Sequence, residues 1–246
     1  MIALESHTGR KQLDHMIENI RVLIVAGIPT GALVVGLGSR IAMFVLRVTS
    51  PDNVRGVRSD DDFVIGEVTL GGTYNLLQLG AVVGIIGAGA YLLVMPWLIG
   101  PLWFRRLTTG LASAVVAGSM LVHDKGIDFH VLQPTWLAIG LFVALPGVFG
   151  IAIAAAVDAV RRPGSWTTRG RRRWASATVS VACFPATVLV VMVVIVLTAF
   201  GEVLRAAGVV RLVCSLPAHA LVIRSLWLMI AIVGLVALVN DIIAIT

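Results

Sequence analysis

The sequence predicts an all-α protein: one polytopic transmembrane helix bundle, residues 1–246, with about six spans and both termini in the cytoplasm. Three observations carry this reading. Hydrophobic residues make up 58% of the chain and charged residues only 13%, about half the roughly 25% charged share of a soluble domain. Apolar runs longer than 18 residues recur along the chain, each long enough to cross a hydrocarbon core of about 30 Å as a helix. Six of the nineteen basic residues crowd between positions 161 and 173, as they do in a cytoplasmic connector. This composition excludes a water-soluble globule, a disordered chain and a coiled coil. Two cysteines in so long a chain exclude a disulfide framework.

Residues 1–19 lack a short apolar core ending in a small-residue cleavage site, so no leader is expected to be removed. Leu13, Met16, Ile17 and Ile20 recur at i, i+3, i+4 and i+7. That spacing suits a helix lying along the inner interface, or equally one that extends the first span into water. Spans are expected at about 20–46, 75–99, 107–122, 135–160, 174–200 and 221–245. The third rises only about 24 Å and is short for the bilayer. The polar stretch 48–74 carries its own turn signals, Ser50-Pro51-Asp52 and Gly71-Gly72, and is too short for an independent core.

The basic residues set the orientation. With the N-terminus inside, Arg10, Lys11, Arg21, Arg105 and Arg106 fall on the cytoplasmic side together with Arg161, Arg162, Arg169, Arg171, Arg172 and Arg173. This bias predicts N-in and C-in with an even number of spans. It also accounts for the net charge of +6 without nucleic acid. The arginine-rich loop, flanked by Trp166 and Trp174, suits anionic headgroups or an acidic partner, but topology alone explains it.

Helices in lipid associate through close backbone approach, which favours small residues four apart. Gly27 and Gly31 mark the first span, Gly80, Gly84 and Ala88 the second, and Gly110, Ala114 and Gly118 the third. Gly140 and Ala144, with Gly150 and Ala154, mark the fourth. The fifth and sixth spans, rich in Val, Ile and Leu, are expected to face lipid. Pro29, Pro96, Pro146 and Pro185 fall in or near spans and can kink them.

An ionisable residue within the membrane costs roughly 2.5–3.5 kcal/mol at the span centre and is a site candidate by default. Arg40 lies in the outer half of the first span, with Arg47 two turns further on the same face. It either snorkels to the outer interface or pairs with a carboxylate to hold two helices together, or it faces a cavity as an anion-binding or gating arginine. Ser59-Asp60-Asp61-Asp62 reads as a capped helix start, with a divalent cation as the alternative. His123, Asp128 and His130 occupy the next external loop. If the two loops meet, Asp60, Asp61, Asp62, Asp128 and His130 form a polar cluster above Arg40, with Asp60, Asp61 and Asp128 as candidate metal ligands. The spacing matches no specific metal motif, so no cofactor is predicted. At the inner ends, Asp158 and Asn240-Asp241 are expected to pair with Arg21 and Arg161 and anchor the helices. Neither a nucleophile elbow nor a Walker lysine loop nor a dinucleotide fingerprint is present, so no catalytic residue is named.

Gly38-Ser39-Arg40-Ile41-Ala42-Met43, the Ser50-Pro51 turn, Arg55-Gly56-x-x-Ser59-Asp60-Asp61-x-Phe63-x-Ile65-Gly66 and Gly126-Ile127-Asp128-Phe129-x-x-Leu132-x-Pro134 together resemble a family of uncharacterised polytopic membrane proteins common in actinobacteria. The resemblance covers roughly the first 150 residues. It implies a bacterial plasma-membrane location and brings no activity with it. The expected role is a non-enzymatic, multi-pass inner-membrane protein: a transport-related component, or a partner of another membrane protein or of its own copy. The alternative is a metal-assisted enzyme acting at the outer leaflet through the Asp60–Asp62 and Asp128 loops.

Overall fold

The computed structural model describes residues 14, 16–51, 69–122, 133–162, 164, 172–206 and 219–245, with backbone alone at 172–174, 197–206 and 219–220. Every regular element among them is helical. Helix α1 spans Met16–Thr49, α2 Leu70–Val94, α3 Leu102–Leu121 and α4 Thr135–Arg161. Helices α5 (Arg172–Cys183), α6 (Thr187–Ala206) and α7 (His219–Ile245) follow. Four segments are long and apolar enough to cross a membrane: Met16–Thr49, Leu70–Trp97, Thr135–Arg161 and Leu221–Ile245.

The first span is one continuous helix, but not a uniform one. It widens into π-helix at Leu23–Gly27 and again at Gly31–Leu37, on either side of the short α-helical piece Ile28–Thr30 that holds Pro29. Proline removes a backbone donor and crowds the carbonyl four residues back, and a wider i→i+5 turn is one way a helix absorbs this. The widening also decides which residues share a face. On an ideal α-helix the nine residues from Gly27 to Gly36 make about two and a half turns, placing the two on opposite sides. Here Gly27, Gly31 and Gly36 all face α2.

A Cβ built on Gly27 would stand 2.8 Å from the Gly84 carbonyl oxygen, and one on Gly36 would stand 2.8 Å from that of Leu76. From the other side, a Cβ on Gly80 would stand 2.6 Å from both the Gly31 carbonyl oxygen and the Gly36 nitrogen. The α1–α2 interface is thus backbone against backbone, as small-residue packing in lipid requires. Helices α3 and α4 form a second such pair. A Cβ on Gly110 would meet the Gly147 oxygen at 2.9 Å, and one on Gly150 would meet the Thr109 oxygen at 2.8 Å. Gly140, expected in the same seam, has open space around it instead.

Residues of α1, α2 and α4, among them Val22, Ile28, Ala81, Ile85, Ile153 and Val157, form the larger apolar core. A smaller one at the other end joins Leu46, Val122, Ala138, Ile139 and Leu238.

Three expectations are corrected. The third span begins earlier than residue 107: α3 starts at Leu102 and takes Arg105 and Arg106 into its first turns. Its 20 residues give about 30 Å of rise, and it packs along α4.

The fifth span, expected as 174–200, is not one helix. It breaks at Phe184–Ala186, where Pro185 has no N–H to continue the ladder. Val181 and Phe184 before the break and Val190, Val191 and Val194 after it pack on the same core, so α5 and α6 both lie against the larger core.

The last helix runs opposite to the expected direction. Near its start, Arg224 donates from Nε to the Trp97 carbonyl, 3.3 Å away, just before α3 begins. Further along, Gly234 faces Val115 and Ser119, and Leu238 joins Leu46 and Val122. Helix α7 is therefore parallel to α3, and its end lies at the opposite end of the bundle from Met16. The described helices include four long and apolar enough to cross a membrane, and they do not confirm six spans with both termini on one side.

Candidate functional site: an intramembrane chamber

The two glycine-packed pairs meet through α4, which packs on both α1 and α2 in the larger core, while α3 makes little contact with either. Phe149 of α4 fills part of that meeting: a Cβ on Gly87 of α2 would stand 2.6 Å from its Cζ. Between the pairs, with α7 along one side, lies a cavity of about 1150 Å³. Ser39, Arg40 and Arg47 line one end; Tyr91, Trp97 and Arg224 line the other. Between these ends the wall is mostly aliphatic and aromatic, including Leu76, Val83, Phe142, Leu145 and Phe149, with Thr108, Thr109 and Ser113 of α3 as its polar members. Along α2 the lining runs from Leu76 to Val94, about 27 Å at helical rise, close to the thickness of the hydrocarbon core.

At the first end Arg40 ties α1 to the start of α2. Its Nε donates to Thr73 Oγ1 at 3.1 Å, and one terminal nitrogen donates to the Thr69 carbonyl at 3.3 Å. Thr69 is the N-cap of α2, its hydroxyl oxygen accepting from the Gly72 N–H at 3.1 Å. Arg47, two turns on, is half-buried, and its Nε is buried with no hydrogen-bond partner. Ser50 closes this end by accepting from the Gln133 N–H at 2.9 Å, joining α1 to the start of α4.

The other end is a hydrogen-bonded network centred on Asp158. Asp158 of α4 is only 7% exposed. Tyr91 of α2 donates its hydroxyl to Asp158 Oδ1 at 3.1 Å, and Arg106 Nε of α3 donates to Oδ2 at 3.1 Å. One carboxylate thus holds three helices, with charge compensated and both oxygens occupied, as burial demands. In the closing 3₁₀ turn Met95–Trp97 the Met95 carbonyl accepts from the Leu98 N–H at 3.3 Å and has a second lone pair to offer. Arg105 donates to it at 2.9 Å and Arg224 donates to the Trp97 carbonyl, cations at a helix C-terminus as its dipole favours. Arg21 is fully buried and pairs with Glu18.

Of the residues expected to form an outer cluster, Arg40 is placed as described. Asp60, Asp61, Asp62, His123, Asp128 and His130 lie outside the described residues. Arg161 and Arg162 end α4 and Arg172 and Arg173 begin α5, while Arg169 and Arg171 lie outside the described residues. Among the described residues no three His, Cys, Asp or Glu side chains gather as a metal site would require. The expected partners of Asp158 are corrected: it binds Arg106 and Tyr91, not Arg21 or Arg161. Asn240-Asp241 is near the Leu46 end and so is remote from Arg21.

Tyr91 and the capping Thr69 and Thr73 escape sequence reasoning. The available signal for Tyr91 is its position: a phenol within an apolar span requires a polar partner at its own depth, and Asp158 is the buried carboxylate there.

Comparison with family models, with curated proteins and with solved structures found no match.

Proposed function

We propose that this chain is a multi-pass protein of a bacterial plasma membrane that holds a lipid-like molecule between its helices, acting as a binding or transport-related component and not as an enzyme. The carrying observation is the wall of the chamber. A pathway for ions or polar solutes needs polar and charged groups through the membrane depth; between its arginine-bearing ends this one presents mainly Leu, Val and Phe, with the hydroxyls of Thr108, Thr109 and Ser113 on α3 and no charged side chain. Hydrocarbon is the matching content, since apolar ligands fill apolar cavities.

The arginine bias supports the orientation. Arg105, Arg106, Arg161 and Arg162 gather with the start of α1 at the Tyr91 end, which makes that end cytoplasmic and the Arg40 end outer. The apolar flank of α7, of which only 11% is buried, then faces lipid or a second membrane protein. The plasma-membrane assignment draws on the resemblance carried by the Arg40 and Asp60–Asp61 segments. The metal-enzyme alternative would draw on Asp60, Asp61 and Asp128, and nothing in the chamber favours it.

Ala112 and Ala117 line the chamber from α3. Filling it with Ala112→Phe or Ala117→Phe is expected to reduce the lipid that co-purifies in mild detergent, measured by mass spectrometry of the extracted protein, while the folded yield is kept. Unchanged lipid content in both variants would overturn the proposal.

A further inference from the structure

We infer that the Arg40–Arg47 end of the chamber is a headgroup seat for an anionic, phosphate-headed diacyl lipid whose chains occupy the apolar length below. The inference rests on the chamber reading and adds the class and orientation of the occupant.

The two ends differ in the guanidinium groups they present to the chamber: Arg40 and Arg47 at one, Arg224 alone at the other. At the Tyr91 end Arg106 is neutralised by Asp158 and does not line the chamber, and Arg224 is held by the neutral Trp97 carbonyl. Arg105, whose Nε also lacks a partner, does not line the chamber. At the other end Arg40 is held only by neutral oxygens, those of Thr73 and Thr69. Arg47 lines the same end with a buried, unpartnered Nε, and neither arginine has a carboxylate partner among the described residues. Two guanidinium groups with no carboxylate partner among the described residues, at the mouth of a largely hydrocarbon-lined space, are complementary to one anionic head. Guanidinium matches phosphate oxygens bidentately, and Arg40 arrives already oriented by α2.

Size points to a diacyl occupant. At about 1150 Å³ the chamber exceeds the roughly 300–1,000 Å³ of a drug-sized pocket, and its length of about 27 Å suits acyl chains lying parallel to the bilayer normal. A charged head at the arginines and chains below them also follow the depth gradient of the membrane itself.

The test is native mass spectrometry of the full-length protein, delipidated and titrated with phosphatidylglycerol and phosphatidylcholine of identical acyl chains. Wild type is expected to prefer phosphatidylglycerol. Arg47→Gln should lower that preference by at least about tenfold while binding phosphatidylcholine as wild type does. Arg47→Lys, which keeps the charge but not the planar fork, should retain part of it and serves if the glutamine variant fails to fold. Full preference in a folded Arg47→Gln protein, or in Arg47→Lys at raised salt, overturns the headgroup seat and leaves the chamber reading standing. Absence of binding of either lipid to wild type overturns both. Displacement of phosphatidylglycerol by millimolar inorganic phosphate would show a free-anion site and overturn the lipid version.

Discussion

Gly31 and Gly80 meet with no side chain between them: a Cβ on Gly80 would stand 2.6 Å from the Gly31 carbonyl oxygen. Backbone cannot swing aside as a flexible side chain can, so an added methyl must push α1 and α2 apart. Gly80→Ala is expected to destabilise the bundle by about 1–3 kcal/mol, the range for overpacking. Gly140→Ala, at a position with open space, should change stability by less than about 0.5 kcal/mol. Thermal unfolding in the same detergent compares the two. Equal melting points would show that the seam is not close-packed.

Asp158 is the polar hub of α2, α3 and α4, and its two partners are unequal. Tyr91→Phe removes a neutral donor and leaves Asp158 bound to Arg106, so a loss of about 0.5–1.5 kcal/mol is expected. Asp158→Ala leaves both a buried hydroxyl and a partly exposed guanidinium unpaired and should cost more, about 1–3 kcal/mol after allowance for the water that reaches Arg106. A double-mutant cycle between positions 91 and 158 should show coupling; strict additivity would remove the hydrogen bond as a stabilising contact.

The direction of α7 makes a topological prediction. Position 241 lies towards the Leu46 end and position 162 at the opposite end. Cysteines introduced by Asp241→Cys and Arg162→Cys, in a background lacking Cys183 and Cys214, should be labelled from opposite sides of the membrane by an impermeant thiol reagent. Ser50→Cys should behave like Asp241→Cys. Labelling of positions 162 and 241 from the same side would restore the arrangement with an even number of crossings.

Apolar run length was enough, from sequence, for an all-helical chain with helices long and apolar enough to cross a membrane, and small-residue spacing was enough for Gly27, Gly31, Gly80, Gly84 and Gly110 as packing positions. These depend on local quantities: hydropathy over about 20 residues and spacing along one helix. Arg40 as a helix tie was one of two open readings, because its chemistry is local and its partner is not.

Tertiary structure alone decided the rest. Gly36 joins the seam only because two π-helical stretches rotate it there, and a period of 3.6 does not contain that rotation. Pro185 was visible in the sequence as a possible kink, but the direction of α7 depends on which surfaces remain uncovered once α1–α4 have packed. Equally apolar faces do not state their partners in the sequence. The chamber has the same origin: it is the space left between α3 and the α1–α2 pair when α4 packs on both and α7 lies along one side. A void is a property of the assembled helices, and no residue pattern along a single one encodes it.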